Sequence, residues 1–352
     1  MILRMWRFLF LAGLLSLLWG KSVPAKQQPE QVISGFSAGH LSEPYRNVWC
    51  SAVTRLDPHK PTWANGHLAQ LADEHFPVDL IVFDGECKQL SSAHVAIPGW
   101  TVTVLIAAVP AIEVDAIVSG GATTNPGLTF FLAQISSGGV VSVIRTEGFM
   151  ARGVCEASDH TIWTIGRDGE KEKAHEDYPL VQQYSAEKGF LHGYLSRAES
   201  GLTKTTLLGA SSIYGALLVC GKKHISVYLN ETNEYIEIDP STESLRRWKM
   251  DTRPLPKGQV DGFAVTEKGR IYASIFEDWR TETDWKFRRG LFELRLDPNS
   301  GLGTWGVIGG TLSSYDPEDV PNVFFKLWGA DSEDLVIRRL NDAYMSWVRV
   351  IP

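Results

Sequence analysis

The sequence predicts an all-β fold built from repeated four-stranded sheets, and three observations predict it. A strand–turn–strand phrase recurs about every fifty residues, as Leu128–Thr146, Tyr178–Leu195, Glu234–Met250 and Gly290–Ile308, with a weaker copy at Val78–Val95. A shorter strand pair precedes the phrase in the later repeats. The chain also spreads 32 Gly and 17 Pro along its length, as many short strands and turns require, and carries 12 Trp, large rings that suit the space between stacked sheets. A fixed period of that size in strand-rich sequence means one sheet per repeat around an axis, which is a β-propeller.

The N-terminus reads as a targeting segment. Arg4 and Arg7 form a basic start, Phe8–Leu18 is apolar, and Val23-Pro24-Ala25 offers small residues for cleavage. That is the layout of a secretory signal peptide over residues 1–25. The apolar run is short of the ~20 residues that a membrane span needs, and no later stretch is long and uncharged enough. Cleavage would remove three basic residues and no acid, taking the formal net charge from −7 to −10. An acidic exported chain is a poor partner for nucleic acid, whose binding depends on Lys and Arg at phosphates. Residues 26–44 are expected to be an exported segment, partly flexible or supplying a closing strand. Residues 45–352 are expected to form one propeller domain.

The inner strands of each sheet should precede the repeated phrase. They read Gly153–Ser158 and Thr161–Gly166, then Gly215–Cys220 and His224–Leu229, then Gly262–Thr266 and Arg270–Phe276, and last Lys326–Ala330 and Leu335–Arg339. Gly153, Gly215 and Gly262 align at the start of the first strand, where glycine lets strands crowd together. The chain ends in Tyr344–Ile351, a third strand with no fourth. Either Gln31–Phe36 or Asn47–Thr54 would complete that sheet and remove an exposed edge. The count is then six blades, with five and seven as alternatives. The blades fall at about 45–105, 106–146, 147–198, 207–250, 258–308 and 322–351. In the first of them, Trp63–Phe76 has apolar spacing that suits a short inserted helix.

Cys50, Cys87, Cys155 and Cys220 make an even count, so an exported chain permits disulfides. Cys155 and Cys220 hold equivalent places in neighbouring repeats, which should be too far apart to bond, and are expected as buried thiols. Cys50 and Cys87 are compatible with a bond inside one blade. No CxxC spacing supports structural zinc.

Two catalytic patterns fail on context. Gly35-Phe36-Ser37-Ala38-Gly39 matches G-x-S-x-G, but no strand–turn–helix surrounds it. Ser185-Ala186-Glu187-Lys188 matches S-x-x-K, but it lies in a turn and lacks its partner motifs.

The polar connections 167–178 and 277–289 are longer than strand linkage needs, and such segments carry binding function. They are expected as neighbouring loops on one face. Trp279, Arg280, Trp285 and Arg288 in the second, with His175 and Asp177 in the first, are the candidate binding residues. Exposed aromatics beside Arg are common interface anchors. Asp168, Glu170 and Glu172 alternate and could offer oxygens to a divalent cation, though without the glycine and spacing of a calcium loop.

Val260–Tyr272 (VDGFAVTEKGRIY) resembles the inner-strand phrase of NHL, YncE-like and SMP-30/gluconolactonase propellers. Ile236–Thr242 and Leu294–Gly301 resemble their outer hairpins. The resemblance covers 149–340 and implies the fold. In the SMP-30 branch an Asp of this phrase helps hold a catalytic divalent metal, and Asp261 matches it. Glu43 is a loose counterpart of a second ligand, while Arg152 and Tyr214 stand where Asn ligands would be expected. The leading expectation is therefore an exported, non-catalytic, monomeric propeller without a cofactor, binding a protein, peptide or glycan. A metal-dependent hydrolase of the SMP-30/gluconolactonase type is the alternative.

Overall fold

The computed structural model describes residues 36–40, 49–53, 67–71, 79–84, 89–125, 127–136, 139–202, 217–280, 285–308, 313–314, 324–331, 334–340 and 345–350. The signal peptide, Glu43, Tyr214 and Cys87 lie outside them.

In chain order, β1 (Phe36–His40) and β2 (Trp49–Val53) form an antiparallel pair. Next come β3 (His67–Leu71), β4 (Asp79–Asp84) and β5 (Gln89–His94), an antiparallel sheet. A four-stranded sheet follows, with β6 (Thr101–Pro110), β7 (Ala116–Thr123), β8 (Leu128–Ser136) and β9 (Gly139–Glu147). A second has β10 (Phe149–Glu156), β11 (Ile162–Asp168), β12 (Pro179–Ser185) and β13 (Gly189–Ser196).

The next two meanders share one continuous sheet. The first contains β14 (Leu218–Cys220), β15 (Ile225–Leu229), β16 (Glu234–Asp239) and β17 (Ser244–Met250). The second contains β18 (Gln259–Val265), β19 (Ile271–Arg280), β20 (Trp285–Asp297) and β21 (Leu302–Val307), with β22 (Ser313–Ser314) paired to β20. A short parallel ladder, Lys249 opposite Leu302 and Met250 opposite Gly303, joins β17 to β21. Last come β23 (Phe324–Asp331), β24 (Asp334–Leu340) and β25 (Met345–Val350).

Sequence pattern explains the position of each strand within its sheet. The second strands β7 and β15 are nearly continuous apolar runs, and almost every residue in them is buried. Strands covered on both faces read this way. The fourth strand β17 alternates instead, with Trp248 and Met250 buried between exposed Arg247 and Lys249. It covers a core with one face and meets water with the other.

The core lies between successive sheets. Phe149, Val154 and Ile162 pack against Ile117, Leu132 and Ile144 of the sheet before. Trp163, Leu180 and Val181 pack against Leu218, Val227 and Ile236 of the sheet after. Tyr228, Tyr235 and Trp248 continue the series onto Phe263, Ile275 and Phe292. Each such side chain, fully buried, stabilises by about 1.5–3 kcal/mol. The first strands also touch in chain order: β3 with β6, β6 with β10, β10 with β14, β14 with β18, and β18 with β23. At the other end of the chain, β2 lies beside β25.

Several expectations are corrected. Part of the segment expected as a helix, His67–Leu71, is strand β3, paired with β4 from Leu71↔Leu80 to His67↔Asp84. A single amphipathic turn is marginal alone, and a ready strand partner outcompetes it. Cys155 and Cys220 are not thiols but a disulfide, with Cα atoms 5.6 Å apart. The distance argument failed because β10 and β14 converge where first strands meet. The first strands also begin earlier than expected, at Phe149 and Gln259, so Gly153 and Gly262 fall inside them. Both follow a bulge, at Ala151/Gly153 and Val260/Gly262, and a third bulge lies at Leu327/Gly329.

Candidate functional site

The two polar segments are more ordered than loops. Residues 277–280 and 285–289 continue β19 and β20, in a register that runs from Glu277↔Arg288 through Trp279↔Lys286 to Arg280↔Trp285. The expectation of an irregular loop is thereby corrected: alternating Trp and Phe among polar residues has strand period, and an adjacent strand was available to pair with it. Trp279, Arg280, Trp285 and Arg288 thus sit on the paired strands β19 and β20.

In the first segment, Gly169–Ala174 forms a short helix. Asp168 caps it, accepting from the backbone N–H groups of Glu170 and Lys171 at 3.1 and 3.0 Å. His175 ends it in the left-handed region with φ 58° and is exposed. Asp177 accepts from the Ala198 N–H at 2.9 Å, and this bond is the main reason its carboxyl is held below the ordinary range. Asp168 and Asp177 therefore act as backbone caps, and Glu172 accepts from the Tyr178 hydroxyl at 2.7 Å. Among the described residues no group of three or more His, Cys, Asp or Glu gathers as metal ligands would.

Asp261, the position matched to a metal ligand, is only 1% exposed. It is the extra residue of the β18 bulge. Its Oδ1 accepts from the Ser274 hydroxyl at 2.6 Å, and Ser274 Oγ in turn accepts from the Leu327 N–H at 3.1 Å. The carboxylate thus ties β18 to β19 and, through Ser274, to β23. Close approach here explains the next residue: a Cβ on Gly262 would lie 2.0 Å from the Leu327 carbonyl oxygen. Asp261 thus lies within its strand rather than at its entry, buried and bonded across to Ser274.

The helix Gly169–Ala174 instead borders a cleft of about 920 Å³ between the β6–β9 and β10–β13 sheets. Leu128, Phe130 and Met150 give it apolar surface, and Leu128 is 68% exposed. Arg145, Arg167 and Lys173 line it with cations, and Glu147, Glu170 and Glu172 with acids. Arg145 is steadied over the Trp100 ring, 4.9 Å from its centroid. Arg167 is opposite Met150 in the β10–β11 register, and its nearest Nη is 3.8 Å from Glu172 Oε2. Of the segment expected for binding, Arg167, Gly169, Glu170, Glu172 and Lys173 line this cleft, whereas the candidates His175 and Asp177 do not. Sequence reasoning missed Phe130, Arg145 and Met150, which lie on regular strands and carry no loop signal.

Ser37, from the G-x-S-x-G match, is in strand β1 opposite Ala52. Ser185 closes its turn by accepting from the Glu187 and Lys188 N–H groups. Neither stands at a nucleophile turn.

No protein-family model and no curated protein matches the chain. Several solved structures do, at low identity. A protein of Bacteroides fragilis described as exported overlaps 88% of this chain and 85% of its own at 10% identity, with a TM-score of 0.47. U3-55K overlaps 82% and 92% at 8% identity, with a TM-score of 0.46. A luciferin-regenerating enzyme overlaps 82% and 88% at 11% identity, with a TM-score of 0.41. The likeness is one of all-β architecture alone.

Proposed function

We propose that the chain is an exported, non-catalytic six-bladed β-propeller, similar to the NHL, YncE-like and SMP-30 group. On this reading it binds a protein, peptide or glycan on the surface bearing residues 167–178 and 277–289. The observation that carries the reading is the cleft beside the helix Gly169–Ala174, where exposed apolar surface meets Arg145, Arg167 and Lys173. Clefts that combine apolar walls with a few placed polar groups are the usual form of ligand sites. The ordered contacts of successive first strands support the propeller, and β2 beside β25 supports its closure by the N-terminal strand. The Cys155–Cys220 disulfide fits an oxidising, secreted or periplasmic location. Among the described residues no helix is long and apolar enough to cross a membrane.

Probing glycan and peptide arrays with the wild type and with Trp279→Ala/Trp285→Ala tests the binding role. The double variant should lose at least about tenfold in signal, since an aromatic anchor typically contributes about 2 kcal/mol or more. Its stability should fall by no more than about 1 kcal/mol, as for surface positions. Array binding that survives the double change, or a variant that unfolds, would assign the tryptophans to packing and reject the surface.

A further inference from the structure

The connection from β6 to β7 meets the turn from β10 to β11, and there a histidine stands between two acids. Glu156 ends β10, and its side chain is only 2% exposed. Its Oε2 accepts from the Ile112 N–H at 2.6 Å, so this acid already ties its strand to the neighbouring sheet's connection. Its Oε1 lies 3.5 Å from His160 Nδ1. On the far side of the ring, Nε2 lies 3.6 Å from Glu113 Oε1. Both ring nitrogens thus face carboxylates, one from each sheet. A neutral imidazole has one N–H to donate, and an imidazolium has two. The turn itself does not call for histidine. His160 has φ 64°, in the left-handed region. Its N–H donates to Ala157 O at 2.9 Å, while the Ala157 N–H donates to Thr161 O at 2.9 Å. Glycine or asparagine would close such a turn as well.

We propose that His160 is a pH-operated clasp between the β6–β9 and β10–β13 sheets, closed when its ring carries a second proton and bridges Glu156 to Glu113. The His160 side chain is 45% exposed, so solvent reaches the ring and can exchange its proton. The other charged groups on these two connections are Asp115 and Asp159. The Asp159 carboxylate is engaged by the Thr161 N–H and hydroxyl at 3.1 and 2.6 Å. Strand β14, bonded to β10 through Cys155–Cys220, leads into Lys222, Lys223 and His224, of which Lys222 pairs with Glu267 at 3.5 Å. The ring meets both acids only in the folded chain. The clasp therefore contributes most at the acid end of the imidazole range, about pH 5–8, and its contribution is lost as the pH rises through it. Burial, the main influence on Glu156, raises its carboxyl, so stronger acid neutralises this anchor and opens the clasp from the other side.

The test is denaturant unfolding of the full chain at pH 5.5 and pH 8, with deuterium exchange of the Ile112 amide as the local readout. His160→Asn suits a left-handed turn position and carries no titrating ring. The folding equilibrium constant of the wild type relative to His160→Asn should rise about threefold from pH 8 to pH 5.5, the scale of partly exposed ion pairs. The protection factor of the Ile112 amide should rise by about the same factor in the wild type and stay level in His160→Asn. Glu113 is 68% exposed, so Glu113→Gln should fold normally, and it should shrink both changes. Glu156→Gln keeps an oxygen for the Ile112 N–H but not the charge, and it should shrink them too. A ratio of wild type to His160→Asn that does not move with pH would overturn the proposal. So would a full pH response in Glu113→Gln, since no bridge would then exist. If Glu156→Gln fails to fold, His160→Asn and Glu113→Gln still decide the outcome.

Discussion

Arg152 and Asp261 occupy the same place in two sheets: each is the extra residue of a bulge on a first strand, one residue ahead of a glycine. Their surroundings have opposite character. Asp261 is sealed in, bonded to Ser274 and through it to the strand of the next sheet. Arg152 is partly open, and no hydrogen bond or ion pair to the described residues holds it. One backbone device thus serves two ends. A bulge re-aims a side chain; whether that side chain braces the fold depends on what the neighbouring strands offer it. Beside Asp261 they offer a hydroxyl and an amide.

The strands are anchored differently too, and this sets the size of each expected effect. The strand carrying Arg152 is fixed covalently by Cys155–Cys220, which closes a 65-residue separation. By loop-closure entropy, replacing both cysteines with alanine should cost about 4 kcal/mol. Denaturant unfolding measures it, and a loss under about 1 kcal/mol would show that packing alone holds this junction. The strand carrying Asp261 relies on hydrogen bonds. Asp261→Ala should cost about 2–3 kcal/mol, because it removes a bond to a charged acceptor and strands the Ser274 hydroxyl. If unfolding shows Asp261→Ala to be neutral, Asp261 is no brace and the contrast with Arg152 collapses. The smallest effect belongs to Arg152→Met, expected within about 0.5 kcal/mol of the wild type in the same measurement. A larger loss would mean that Arg152 also supports the fold.

The repeating phrase was legible because it encodes strands and turns at a fixed spacing. Leu128–Thr146, Tyr178–Leu195, Glu234–Met250 and Gly290–Ile308 correspond to β8–β9, β12–β13, β16–β17 and β20–β21. The second sheet begins at Thr101, five residues before its expected boundary, because β6 is a long strand with two register shifts. Residues 277–280 and 285–289 were read as loop because their charges mask the strand alternation. The disulfide was missed since sequence spacing does not report how closely first strands converge. The bulge at Arg152 had a faint signal, an Arg-Gly step within a strand pattern, where an isolated glycine marks a bulge. That step tells of a bent backbone and nothing of what surrounds the side chain.

The parallel ladder between β17 and β21 has a kinetic consequence. Lys249 N–H donates to Gly301 O and Asp251 N–H to Gly303 O, both at 2.9 Å, while Trp248 Nε1–H donates to the Asp297 carbonyl at 3.0 Å. Opening either meander therefore breaks bonds that belong to the other. The two should open to solvent as a single cooperative unit, their slowest amides exchanging deuterium in concert. Among the described residues the β6–β9 and β10–β13 sheets, which flank the cleft, share no such ladder, and they should exchange on separate clocks.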